Sequence, residues 1–158
     1  MTARIESVRC KRGVELLQGE TFTLFASATR TTAVANSAGT AVYIGGERRR
    51  YIAILNVTAA ANVAGDTLDV FTDWSLDGVT YFNGAHFTQV LGNGGAVAFF
   101  VVFDPSNPGT AGIALTTDAA VNTVRPSLFG PYVRGRYTLV NGGAGGQSFS
   151  FSLVGYAL

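Results

Sequence analysis

Lysine occurs once in these 158 residues, and charged side chains make up only 13 % of them, about half the usual share. So thin a charged coat would leave a lone globular chain prone to association, so we expect partners to cover much of the surface. The net charge of +1 lacks the basic excess of a general nucleic-acid binder. Cys10 is the only cysteine, which excludes an intrachain disulfide and implies no oxidising compartment. The longest apolar run, residues 96–103, is far too short to span a membrane. The first residues, MTARIESVRCKRG, carry charges where a signal peptide needs an apolar core. These absences predict a soluble chain made in a reducing cytoplasm, with neither nucleic acid nor membrane as partner.

Catalytic groups are equally scarce. His86 is the only histidine, there is no G-x-S-x-G elbow, and Cys10 lies in a charged lead far from it in sequence. One histidine and one distant cysteine do not make a zinc site. The glycines from Gly142 to Gly146 lack the Lys-Ser/Thr ending and the following helix of a phosphate loop. Asn56-Val57-Thr58 has the form of a glycosylation triplet, which matters only in a secreted chain. We expect no enzyme activity and no cofactor.

What is present is β pattern, densest between residues 66 and 90. Leu68, Val70, Thr72 and Trp74 alternate with Asp69, Phe71 and Asp73, the period of a strand with one face buried. Ser75-Leu76-Asp77-Gly78 reads as a tight turn of type I′, whose two central residues need positive φ. Tyr81, Phe82 and Phe87 carry the apolar pattern back. Earlier, residues 21–29 alternate around Phe22 and Leu24, and residues 30–40 read as a small polar loop. Residues 41–44 form a short strand. Residues 51–58 are apolar on both faces, as in a strand between layers or at an interface. Later, residues 96–103 read as a strand too apolar for a half-exposed position. Pro105 and Pro108 mark a loop, and residues 113–124 are ambiguous between strand and helical turn. Val133, Tyr137 and Leu139 alternate with Arg134, Arg136 and Thr138, and Phe149, Phe151 and Leu153 with serines. About eight to ten short strands with Gly-rich turns and no amphipathic helix predict an all-β antiparallel sandwich, jelly-roll-like first and immunoglobulin-like second. We divide it into an N-terminal arm or first strand over residues 1–20 and one sandwich domain over 21–158.

Charge is segregated along the chain. Residues 1–50 hold eight bases and four acids, residues 51–124 six aspartates and no Lys or Arg, and residues 125–158 three arginines. The basic lead (Arg4, Arg9, Lys11, Arg12) and the cluster Arg48, Arg49 and Arg50 are candidates for contact with an acidic protein surface, because guanidinium pairs bidentately with carboxylates. A solvated strand entry explains the second cluster as well. Asp69 and Asp73 share a strand face. They read as a charged, solvated edge that resists aggregation, with a calcium site or a carboxylate pair as the alternatives. Trp74, Tyr81 and Phe82 either pack the core or form a sugar-stacking platform.

The stretch LDVFTDWSLDGVTYFN, with the closing pair YVRGRYTLVNGG and QSFSFSLVGYAL, resembles β-sandwich structural proteins of tailed-bacteriophage virions. The likeness spans roughly residues 50–158; the N-terminal third matches nothing comparable. It implies a head decoration (cement) protein, a head fibre, or a neck or tail component, with no catalytic residues to carry over. The expected partners are the major capsid protein or other virion proteins, the expected assembly is a homotrimer, and the expected place is the capsid surface after assembly in the host cytoplasm. A carbohydrate-binding sandwich for host attachment, using Trp74 and Tyr81, is the other function the residues allow.

Overall fold

The computed structural model describes residues 19–45, 50–60, 63–106, 118–126, 130–143 and 146–158. Among them are eleven strands and no helix: β1 (Glu20–Arg30), β2 (Val34–Ala38), β3 (Val42–Tyr43), β4 (Tyr51–Ala60), β5 (Thr67–Ser75), β6 (Phe82–His86), β7 (Val90–Leu91), β8 (Val97–Phe103), β9 (Thr123–Val124), β10 (Tyr132–Val140) and β11 (Phe149–Ala157). They form two antiparallel sheets, one of four strands in the order β1-β11-β4-β8 and one in the order β2-β10-β5-β6-β9, with β3 on β10 and β7 on β5. The fold is a jelly-roll-like antiparallel β-sandwich.

The period-two pattern explains the core. Tyr51, Ala53, Leu55 and Val57 of β4 face inward with Phe149, Phe151 and Leu153 of β11. They meet Leu68, Val70 and Trp74 of β5 and Val133 and Leu139 of β10, all buried. At one end Trp74 stands edge-on to Tyr51 (ring centroids 4.7 Å) and to Phe103 (5.1 Å), the offset geometry aromatic quadrupoles favour. Gly84 of β6 makes this possible. A Cβ there would lie 2.3 Å from Trp74 Cδ1, so only glycine lets the indole rest on the strand.

Several expectations need correction. The 75–78 turn is not a two-residue type I′ hairpin. Gly78 has φ of +75° but Asp77 is not left-handed, and the connection runs over residues 76–81. Side chains hold it instead: Ser75 Oγ accepts from the Asp77 and Gly78 amides, and Asp77 Oδ1 accepts from Val79 and Thr80 at 2.8 Å. Residues 30–40 are not wholly loop, because β2 pairs with β10, bulged where Asn36 adopts φ of +56°. Strand β5 is buried on both faces, so Asp69 and Asp73 are not a solvated edge. Strand β8, expected to be covered, is an edge strand among the described residues, and its alternate residues face outward. The count of eleven exceeds eight to ten because β3, β7 and β9 are two-residue pairings too short to show a period.

Candidate assembly surface and polar network

The outer face of the four-stranded sheet is built by the residues that alternate with the core. Register aligns Phe100, Ile54, Val154 and Thr23 in one row, and Val102, Ile52, Tyr156 and Thr21 in the next. Phe100 is 72 % exposed and Ile54 48 %, with Val102 and Tyr156 each at 37 %. This end of the sheet is therefore an uncharged apolar patch, while Asn56, Thr58, Ser150 and Ser152 continue the same face as a polar one. Strand β8 closes the patch as a seven-residue edge without charge or proline, and its pairing with β4 runs without a register shift. The opposite edge, β1, carries two register shifts and β2 carries one. Bulges and charges are how sheet edges avoid unwanted pairing, and β8 has neither. A groove of about 400 Å³ runs between β8 and the segment Asn122–Val124.

The outer face of the other sheet is polar and covered. Arg136 Nε donates to Asp73 Oδ2 (3.0 Å), and its terminal nitrogens grip Asp118 at 2.6 and 3.1 Å and reach Asn36. Its guanidinium also lies over the Phe71 ring at 4.1 Å. Burial opposes the Arg136 charge, but its hydrogen bonds to Asp118 and Asp73 outweigh it and raise its pKa. Arg134 lies over Tyr81 at 4.0 Å and reaches Asp73 at 3.4 Å. Asn83 donates to Asp73 Oδ1 and accepts from the Ala119 amide at 2.8 Å. Arg125 donates to the Asn83 carbonyl. The effect is to tie the 118–122 segment, β2, β5, β6 and β10 into one network. A recess of about 390 Å³ opens beside it, walled by Tyr81, Asp118 and Arg134.

His86 completes the face. Its Nε2 is 2.8 Å from Asp69 Oδ1 and its Nδ1 is 3.1 Å from the Ala119 carbonyl, while Gln89 donates to both Asp69 oxygens. Burial raises the Asp69 pKa, but the hydrogen bonds from His86 and Gln89 more than reverse this and hold it below its ordinary value. Among the described residues no group of three or more His, Cys, Asp or Glu is placed to hold a metal ion.

The structure distributes the sequence candidates unevenly. Arg4, Arg9, Lys11, Arg12, Arg48 and Arg49 lie outside the described residues, as does Cys10. Arg50 pairs with Asp104 at 2.8 Å, across the ends of β4 and β8. Trp74 is 1 % exposed and offers no face to a sugar, whereas Tyr81 is half-buried beneath Arg134. Sequence reasoning missed the ion-pair network. Its only signal was that Arg134 and Arg136 sit on the same side of their strand as Thr138, as Asp69 and Asp73 do on theirs. It also missed the exposure of Phe100, because an apolar run does not say which sheet edge it will occupy.

Chains of infectious bursal disease virus superpose on this sandwich. A chain of the Gt strain matches with a TM-score of 0.55 at 12 % identity, over 98 % of this chain and 38 % of that one. One of the Gx strain matches with 0.51 at 15 % identity, over 98 % and 36 %. The VP2 subviral particle gives 0.51 at 11 % identity, over 98 % and 38 %. This chain shares its sandwich fold with those viral chains. This chain spans a little over a third of the length of those viral chains. No family model and no curated protein matches it. Among the described residues of this sandwich the polar network covers one outer face, while the other, apolar at one end, leaves Phe100 and Ile54 exposed.

Proposed function

We propose that the chain is a non-enzymatic structural component of a virion. In the finer reading it is a tailed-bacteriophage decoration or cement protein that binds the head shell, with the major capsid protein or a neighbouring virion protein as partner. The observation that carries this is the apolar end of the four-stranded sheet, where Phe100 and Ile54 stand exposed beside the unguarded edge β8. A shell is strengthened by burying such surface across subunit joints, which needs complementarity and no chemistry. The sandwich fold of virus-particle chains supports the same reading.

Light scattering behind a sizing column tests it first. A trimer near three times 16.5 kDa is expected, and Phe100→Asp with Ile54→Asp should abolish both self-association and shell binding while the circular dichroism stays that of the parent. Undiminished shell binding by that variant refutes the assignment of this face. Deleting residues 1–15 separately tests the basic arm, whose loss should weaken shell binding without unfolding the sandwich. The recess beside Tyr81 and Arg134 supports a second reading, glycan attachment. Glycan-array binding that Tyr81→Ala removes would establish it.

A further inference from the structure

We propose that His86, Asp69 and the Ala119 carbonyl form a proton-dependent latch that fastens the 118–122 segment to the seven-stranded sheet. The inference rests on proton accounting. Both ring nitrogens of His86 face acceptors, Nε2 a carboxylate oxygen and Nδ1 a main-chain carbonyl. A neutral imidazole carries one N–H and one lone pair, so it makes one of these bonds and turns a lone pair on the other acceptor. Both bonds form only when the pair holds a second proton. Gln89, donating to both Asp69 oxygens, favours the carboxylate form and so places that proton on the ring.

The surroundings are consistent with a charged ring. Phe71, its register partner on β5, lies against the imidazole with centroids 4.1 Å apart, and Thr123 is its partner on β9. Asp69 is the anion in contact. Among the described residues Asp73, Asp118, Arg125, Arg134 and Arg136 are the other charged groups on this face, and the Asp73–Asp118–Arg136 cluster is internally paired. The fastened segment borders both recesses, through Asp118 on one side and Asn122 on the other. Thr88 adds a tie to Asn122 at 3.1 Å. The latch thus sets the shape of the walls on two sides of the molecule. By this count the closed latch holds one more proton than a neutral ring beside a carboxylate, and removing that proton breaks one of the two bonds.

The single histidine makes the test direct. Nitrogen-15 NMR of the labelled protein should show both ring nitrogens protonated while the latch is closed. Hydrogen exchange, corrected for intrinsic rates, should show protection of the Ala119 amide falling roughly tenfold as the ring loses its proton, the scale of one charge-assisted hydrogen bond. Asp69→Asn supplies the decisive control. Its amide can donate to Nε2, so a neutral ring with Nδ1–H satisfies both contacts and the pH dependence should vanish with the fold intact. A ring held in one neutral tautomer while Ala119 stays protected overturns the proposal. So does protection that ignores the ring's titration, or an Asp69→Asn protein that keeps the full pH dependence. If Asp69→Asn does not fold, His86→Phe reports instead: it must remove the pH dependence of Ala119 protection, and a dependence that survives refutes the latch.

Discussion

Replacing Gly84 by alanine adds one methyl group at the most crowded point of the aromatic core. An ideal Cβ would lie 2.3 Å from Trp74 Cδ1, 2.5 Å from Nε1 and 3.0 Å from Phe103 Cε1, all well inside van der Waals contact. The indole cannot swing aside freely, since it is 1 % exposed and stands edge-on to both Tyr51 and Phe103. The strain therefore spreads to β6 and the rings, and overpacking of this kind costs about 1–3 kcal/mol. With three close atoms we expect the upper half, about 2–3 kcal/mol, or roughly 5–10 °C in Tm for a domain of this size. Urea unfolding followed by the fluorescence of the single tryptophan measures it at the site itself, with the slope m unchanged if only stability moves. A loss below about 0.5 kcal/mol with an unaltered near-ultraviolet spectrum would refute the account of Gly84 as the seat of the indole.

Tyr51→Phe should be neutral or stabilising by about 1 kcal/mol, because the Tyr51 hydroxyl is buried without a hydrogen-bond partner among the described residues; a loss above about 1 kcal/mol in denaturant unfolding contradicts this. Arg136→Met should destabilise by about 1.5–3 kcal/mol, since it leaves the buried Asp73 with only Asn83 and the longer Arg134 contact and releases Asp118; a drop under about 0.5 kcal/mol would mean the network contributes little. Asp77 is held at a pKa of about 2 by the Thr80 and Val79 amides and the Ser75 hydroxyl. Because that value is depressed, the support it lends the 76–81 turn is full above about pH 4 and disappears as pH falls through about 2. A carbon-detected NMR titration of its carboxyl with a midpoint near 4 would disprove the turn geometry.

The strands that announced themselves were those with one apolar and one polar face, such as β10 and β11, because burial of one side imposes the period two that the residues show. Strand β5 was legible as a strand but misjudged on its second face. Asp69 and Asp73 look solvated until their partners arrive, His86 17 residues on for Asp69 and Arg134 and Arg136 61 and 63 residues on for Asp73, and pairing at such separations leaves no local trace. Strand β2 was invisible for a related reason, since VANSA has no alternation and, among the described strands, pairs only with β10. The turn at 75–78 was right in place and wrong in type. Asp-Gly favours a type I′ turn intrinsically, but the Ser75 and Asp77 side chains offer the backbone amides another set of acceptors. The apolar surface was hinted at by low charge, yet which residues compose it depended on β8 falling at an edge. The same alternation that let the core be read could not say whether Phe100 or Phe99 would face out.

The pairing of β1 with β11 sets the order in which the molecule can be made. Glu20 lies opposite Ala157 and Arg30 opposite Phe149, so a strand near the start of the chain finds its neighbour only more than a hundred residues later. Strand β4 waits for the same partner, since β11 lies between β1 and β4. While the ribosome is still making residues 149–157, β1 has no sheet to join and the inward face of β4 is covered only in part. Such long-range closure makes folding slow and places it after the last strand has emerged. A nascent chain stalled before Phe149 should therefore be protease-sensitive from β1 onward, and the four-stranded sheet closes all at once.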